Sequence, residues 1–160
     1  MSTNHFTIHI PRRVVVVGAA VFCLLVSVAA FHFDESDAEK EIRETIGLYF
    51  KGAETISPEY FEQAFALGVA DMTYVRRDRE TGTEVVQRVP IEDAIKGWTS
   101  GEAGETWGKI TDITVLDNRL AHVTLDILWS GNVYTDVMAM YRVNDEWKIV
   151  NKTFVVKERG

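Results

Sequence analysis

The chain has 160 residues, 46% of them hydrophobic, and a formal net charge of −7, enough for one domain with a sizeable core and too little for two. Arg12 and Arg13 are the only charges among the first 30 residues, so the remainder stands at −9, which repels nucleic-acid phosphates and argues against a nucleic-acid partner. The one cysteine, Cys23, falls in an apolar run near the N-terminus, which excludes disulfides, thiolate metal sites and a cysteine nucleophile from everything after it.

Residues 14–33 carry no charge. A run of about 20 apolar residues is long enough to span a bilayer's hydrocarbon core. With Arg12 and Arg13 before it, the positive-inside rule predicts a cytoplasmic tail over 1–13, a single-pass transmembrane anchor over 14–33, and a domain over 34–160 that is periplasmic or extracellular. The alternative is a cleaved signal: Val28-Ala29-Ala30 offers a small-residue site, and cleavage near Ala30 would release the domain. The run exceeds the core of about 7–15 residues usual in signal peptides, which favours the anchor.

Ser36-Asp37-Ala38-Glu39 has the pattern of a capping box. Ala38, Ile42, Ile46, Tyr49, Phe50 and Ala53 follow at helical spacing, with Gly52 where a left-handed cap would fit. Ser57-Pro58 starts a second helix, with Tyr60, Phe61, Ala64 and Phe65 as its apolar face and a stop near Gly68. Residues 71–76 and 84–89 read as strands around a Thr81-Gly82 turn. Pro90 opens a third helix over Ile91–Trp98, and Gly97, Gly101 and Gly104 make the next stretch a loop. Four further strands are predicted over 107–116, 119–129, 132–143 and 146–156. Asp117-Asn118, Ser130-Gly131 and Asn144-Asp145 separate them, pairs that suit tight hairpins. Two or three helices before a long antiparallel meander predict an α+β fold, its curved sheet packed on the helices around a cone-shaped hollow.

Several pieces resemble one superfamily: Ile42 through Tyr49 to Gly52, then Ala64-Phe65, then Tyr141-Arg142-Val143, and above all Trp147-Lys148-Ile149-Val150-Asn151-Lys152. Over roughly 37–156 the chain is similar to the nuclear transport factor 2-like superfamily, within it the group named putative lumazine-binding. The resemblance implies a cone-shaped α+β barrel, a ligand cavity between helices and sheet, and often a homodimer through the outer sheet face. It implies little chemistry, because the superfamily includes isomerases, dehydratases, cyclases, binding proteins and secretion-system scaffolds, and fold does not decide among them. Lumazine binding is not inherited from the group's name. Relatives often place His-Pro-Asp-Ala after the Ala-Phe; here Ala66-Leu67-Gly68-Val69-Ala70-Asp71 stands there, without the histidine.

Strand alternation puts Tyr134, Asp136, Met138 and Met140 on one face and Val133, Thr135, Val137, Ala139 and Tyr141 on the other. In the preceding strand His122, Thr124 and Asp126 oppose Val123, Leu125, Ile127 and Trp129. Periodicity does not say which faces the cavity. In a binding reading, Tyr49, Tyr74, Trp98, Trp107, Tyr134, Asp136 and Met138 line a pocket for a small apolar or aromatic ligand; the plain alternative is that the aromatics fill the core. In an acid–base enzyme, Asp136 would be the base and Tyr49, Tyr74 or Tyr134 the donor to an enolate oxygen. His122 with Asp126 is the other candidate pair, but four residues along a strand separate them by about 13 Å. Asp136, between Thr135 and Val137, also fits a solvated outer face. A third reading is an envelope assembly scaffold. The favoured expectation is a membrane-tethered, homodimeric, non-enzymatic domain without cofactor. His5, His9, His32 and His122 do not cluster as metal ligands. Asn151-Lys152-Thr153 matches a glycosylation acceptor, but within a strand its role is structural. The Arg76–Glu80 charge run reads as a solvated hairpin end.

Overall fold

The computed structural model describes residues 35–157. The predicted tail, the anchor and the cleavage site near Ala30 lie outside them. Among the described residues no helix is long and apolar enough to cross a membrane.

Helix α1 (Glu35–Thr55) buries one stripe: Ala38, Ile42, Thr45, Ile46, Tyr49 and Ala53. That spacing is what puts an apolar face on a helix. The helix already contains Ser36, so the expected capping box does not mark its start, and Glu39 pairs with Arg43 one turn on. Gly52 is not the cap either. A Cβ there would come within 2.9 Å of the Phe61 ring, so this glycine lets the next helix approach. The left-handed residue is Ile56, at φ 52, and the Ser57 amide donates to the Gly52 carbonyl at 3.3 Å, the closing bond of a Schellman end.

Helix α2 (Pro58–Ala64) has Pro58 in its first turn and buries Phe61 and Ala64. It ends four residues before Gly68, because Phe65 is already extended and bridges to Ile149. Strands β1 (Asp71–Arg77) and β2 (Glu84–Pro90) form a hairpin. Helix α3 (Ile91–Trp98) buries Ile91, Ala94 and Ile95. Strands β3 (Trp107–Leu116), β4 (Leu120–Trp129), β5 (Asn132–Val143) and β6 (Glu146–Val156) make the meander. Its turns have positive φ at both central residues: 52 and 50 at Asp117-Asn118, 49 and 76 at Ser130-Gly131, 51 and 64 at Asn144-Asp145. Two such residues make the mirror-image turn whose twist matches that of the strands.

The sheet order is β2-β1-β6-β5-β4-β3. One pairing departs from the expected antiparallel sheet: β1 lies parallel to β6, with Asp71 opposite Asn151 and Thr73 opposite Thr153. Tight turns impose antiparallel pairing only on strands they join. A hairpin, a helix and most of the meander separate β1 from β6, so tertiary packing chooses their direction. The helix-covered face carries Ala121, Val123, Leu125 and Ile127 of β4 and Asp136, Met138 and Met140 of β5, all buried.

The inner face of β6 depends on one irregularity. Ala139 pairs with Asn151 but Met140 with Ile149, so Val150 is an extra residue, a β-bulge. Trp147 and Ile149 are buried before it, and Lys152 is buried after it. The bulge reverses the alternation. Without it Lys152 would stand on the outer face.

Candidate ligand-binding site

A cavity of about 430 Å³ opens between the helices and the sheet. Tyr49 of α1 and Trp98 at the end of α3 bound it on the helix side. Met72 and Tyr74 of β1, Ile127 and Trp129 of β4, Tyr134 of β5, and Lys152 and Phe154 of β6 bound it on the sheet side. Ile56, Gly97, Ser100, Gly101, Glu102 and Ser130 complete the lining. The aromatic walls brace one another. Trp98 and Trp129 lie 5.5 Å apart, Phe61 stacks behind Trp129 at 5.8 Å, and Tyr74 stacks on Phe154 at 5.2 Å. Such mutual contacts hold flat faces in place and favour a flat ligand.

The polar part of the site is a buried chain of three side chains. The Tyr49 hydroxyl donates to Asp136 Oδ2 at 2.9 Å, and Lys152 Nζ donates to Asp136 Oδ1 at 2.7 Å. Tyr49 and Asp136 are fully buried and Lys152 is 4% exposed. Asp136 stands behind Tyr49 and Lys152, which meet the cavity themselves. Lys152 Nζ also lies 4.4 Å from the Phe154 ring centre, a cation–π contact. Burial pushes the Lys152 pKa down while the Asp136 charge and hydrogen bond hold it up. Burial first, then the Asp136 charge, raises the Tyr49 hydroxyl well above its ordinary 10.0. An ammonium has three N–H donors, and among the described residues Asp136 is the one acceptor bonded to Lys152. The cavity therefore presents a cation with hydrogen-bonding capacity to spare.

Tyr49, Tyr74, Trp98 and Tyr134 meet at the cavity. Asp136 faces inward and is 0% exposed, not the solvated residue its neighbours suggested. Met138 is buried in the core beside the cavity, between Val123 and Lys152 in register, and does not line it. Trp107 is 45% exposed at the start of β3, away from the cavity, because it pairs with Leu128, which alternates with the inward Ile127. His122 is exposed opposite Ala139, on the face turned away from Asp136. It has no Asp126 partner: that carboxylate accepts from Thr135 at 2.8 Å and Lys157 at 2.7 Å. Asn151 donates to Asp71 and Thr73, consistent with a structural role in the sheet. Phe154 and above all Lys152 are site residues the pattern missed. The available signal was a lysine inside the apolar stretch Ile149–Val156.

The sequence matches the model of a family described as "Putative lumazine-binding" over residues 37–155. The chain belongs to this family. Its fold is shared by an NTF2-like protein of unknown function from Shewanella baltica, at 18% identity and a TM-score of 0.69, covering 80% of this chain and 100% of that one. An NTF2-like protein of unknown function from Methylobacillus flagellatus is similar at 22% identity and a TM-score of 0.65, covering 79% and 97%. A cystatin-like fold protein from Burkholderia xenovorans is similar at 13% and 0.60, covering 79% and 97%. These likenesses establish the fold alone. No curated protein matches the chain.

Proposed function

We propose that this family member binds a small, flat aromatic ligand whose carbonyl or anionic oxygen accepts from Lys152. The observation that carries this reading is the buried Lys152 ammonium at the wall of an aromatic-lined cavity, with Asp136 its one bonded acceptor among the described residues. The walls supply stacking, and the cation supplies orientation. Heteroaromatic diones, the chemical class of lumazines, have both the flat face and the acceptor oxygens.

The test is quenching of Trp98 and Trp129 fluorescence during titration with 6,7-dimethyllumazine, 2-naphthoate and naphthalene. A charged hydrogen bond contributes about 1.5–3 kcal/mol, so naphthoate should bind about tenfold or more tighter than naphthalene. Equal affinity would remove Lys152 from the reading. Failure of all three to quench would remove the cavity.

The domain is held at a membrane by residues 14–33, on the non-cytoplasmic side. The support is the charge-free run behind Arg12 and Arg13; recovery of the protein in the carbonate-washed soluble fraction would refute it. It works as a homodimer through the outer sheet face, a reading supported by exposed apolar residues there: Tyr141 and Val143 of β5 and Val155 of β6. A monomeric mass by light scattering would refute that.

A further inference from the structure

Lys152 differs from the lysines on the surface of this domain. Its amine is buried in the cavity wall, between a carboxylate at 2.7 Å and an aromatic ring at 4.4 Å. Lys40 and Lys109 are exposed to solvent. A desolvated lysine becomes a nucleophile when a neighbouring group takes its proton. Asp136 Oδ1 is that neighbour, and the Tyr49 hydroxyl on Oδ2 holds the carboxylate in place. Burial lowers the amine's pKa, which favours the uncharged form that attacks a carbonyl.

We propose that Lys152 captures its ligand covalently, its Nζ condensing with the aldehyde or ketone carbon of an aromatic carbonyl compound to form a Schiff base. This rests on the proposed ligand-binding function and specifies the ligand's reactive group. Asp136 takes one proton from the ammonium, and the freed nitrogen pair forms the new C–N bond. The carbonyl π pair moves to oxygen, which takes the proton back from Asp136. Asp136 then removes a second proton from nitrogen and delivers it to the hydroxyl, which leaves as water as the C=N bond forms. The sum is amine cation plus carbonyl giving iminium plus one water, with no oxidant or reductant. The charge count is unchanged, so the iminium keeps Asp136 as its counter-ion and the Phe154 face as its neighbour.

The experiment treats the full chain with 2-naphthaldehyde and sodium cyanoborohydride, which reduces an iminium to a stable secondary amine, and maps adducts by peptide mass spectrometry. Lys152 should be labelled at least about tenfold faster than Lys40 or Lys109, as expected of an amine activated by desolvation and a local base. Unreactive 2-naphthoate should slow labelling at Lys152 and leave Lys40 unchanged. Lys152→Arg, which keeps a cation for Asp136, should lose that adduct alone. Labelling of Lys152 no faster than Lys40 overturns the proposal. If naphthoate still quenches tryptophan fluorescence in that case, noncovalent binding stands and only the covalent step falls. If it does not, both fall.

Discussion

Removing Lys152 while leaving Asp136 tests the buried chain most directly. The two charged atoms are 2.7 Å apart and the side chains 5% and 0% exposed. At an effective dielectric of about 20 their attraction is about 6 kcal/mol. Desolvation of both ions offsets much of it, so replacing the whole pair with apolar side chains is often near neutral. Removing one partner is different, because the other charge stays buried, at a cost of about 3–5 kcal/mol. In Lys152→Met the Tyr49 hydroxyl still donates to Asp136, which places the expected loss near the lower end, about 3 kcal/mol. Urea unfolding followed by circular dichroism should show that loss for Lys152→Met and a similar one for Asp136→Leu. The double variant should recover much of it, so the single losses do not add. A loss below about 1 kcal/mol for Lys152→Met, or strict additivity, would refute a buried, coupled pair.

Three further outcomes follow from particular contacts. Tyr49 keeps its proton in the fold at a pH where the unfolded chain loses it, so its contribution is full below 10.0 and falls as pH rises above it. Tyr49→Phe should flatten the alkaline limb of the stability curve, and one tyrosinate should disappear from the absorbance change that accompanies alkaline unfolding. Asp126 is held below its ordinary 3.8, mainly by the Lys157 hydrogen bond. Its contribution is present above 3.8 and lost as pH falls through the folded value, so melting temperatures of Asp126→Asn should depend less on pH in the acid range. A Cβ on Gly108 would lie 2.2 Å from the Phe50 ring, whereas one on Gly47 meets nothing within 4 Å. Thermal melts should show Gly108→Ala destabilised by about 1–3 kcal/mol and Gly47→Ala stabilised by about 0.5–1 kcal/mol.

Legibility followed the range of the forces involved. The stripe from Ala38 to Ala53 was readable because helical spacing is local, and the three hairpins because Asp117-Asn118, Ser130-Gly131 and Asn144-Asp145 tolerate positive φ. Tyr49, Tyr74, Trp98 and Tyr134 were recognisable as cavity candidates by residue type. They stand on α1, β1, α3 and β5, and the cavity does bring all four together; which of the other candidates stayed outside it was not readable. Trp107 looked equivalent to Trp98, yet its register opposite Leu128 turns it out. Gly52 carried a cap signal, but the decisive contact was with Phe61, on another helix.

The α+β order of elements, the meander and its turns, the buried stripe of α1 and the apolar run of residues 14–33 are properties of the sequence by itself, set by periodicity, turn chemistry and hydropathy. The parallel β1–β6 pairing, the inward face of β5 and the Tyr49–Asp136–Lys152 chain were decided by tertiary structure. Alternation tells which residues share a face but not which face is covered, and it holds only while pairing is regular. One extra residue at Val150 reverses it, and that reversal brings the Lys152 amine to Asp136 and the cavity.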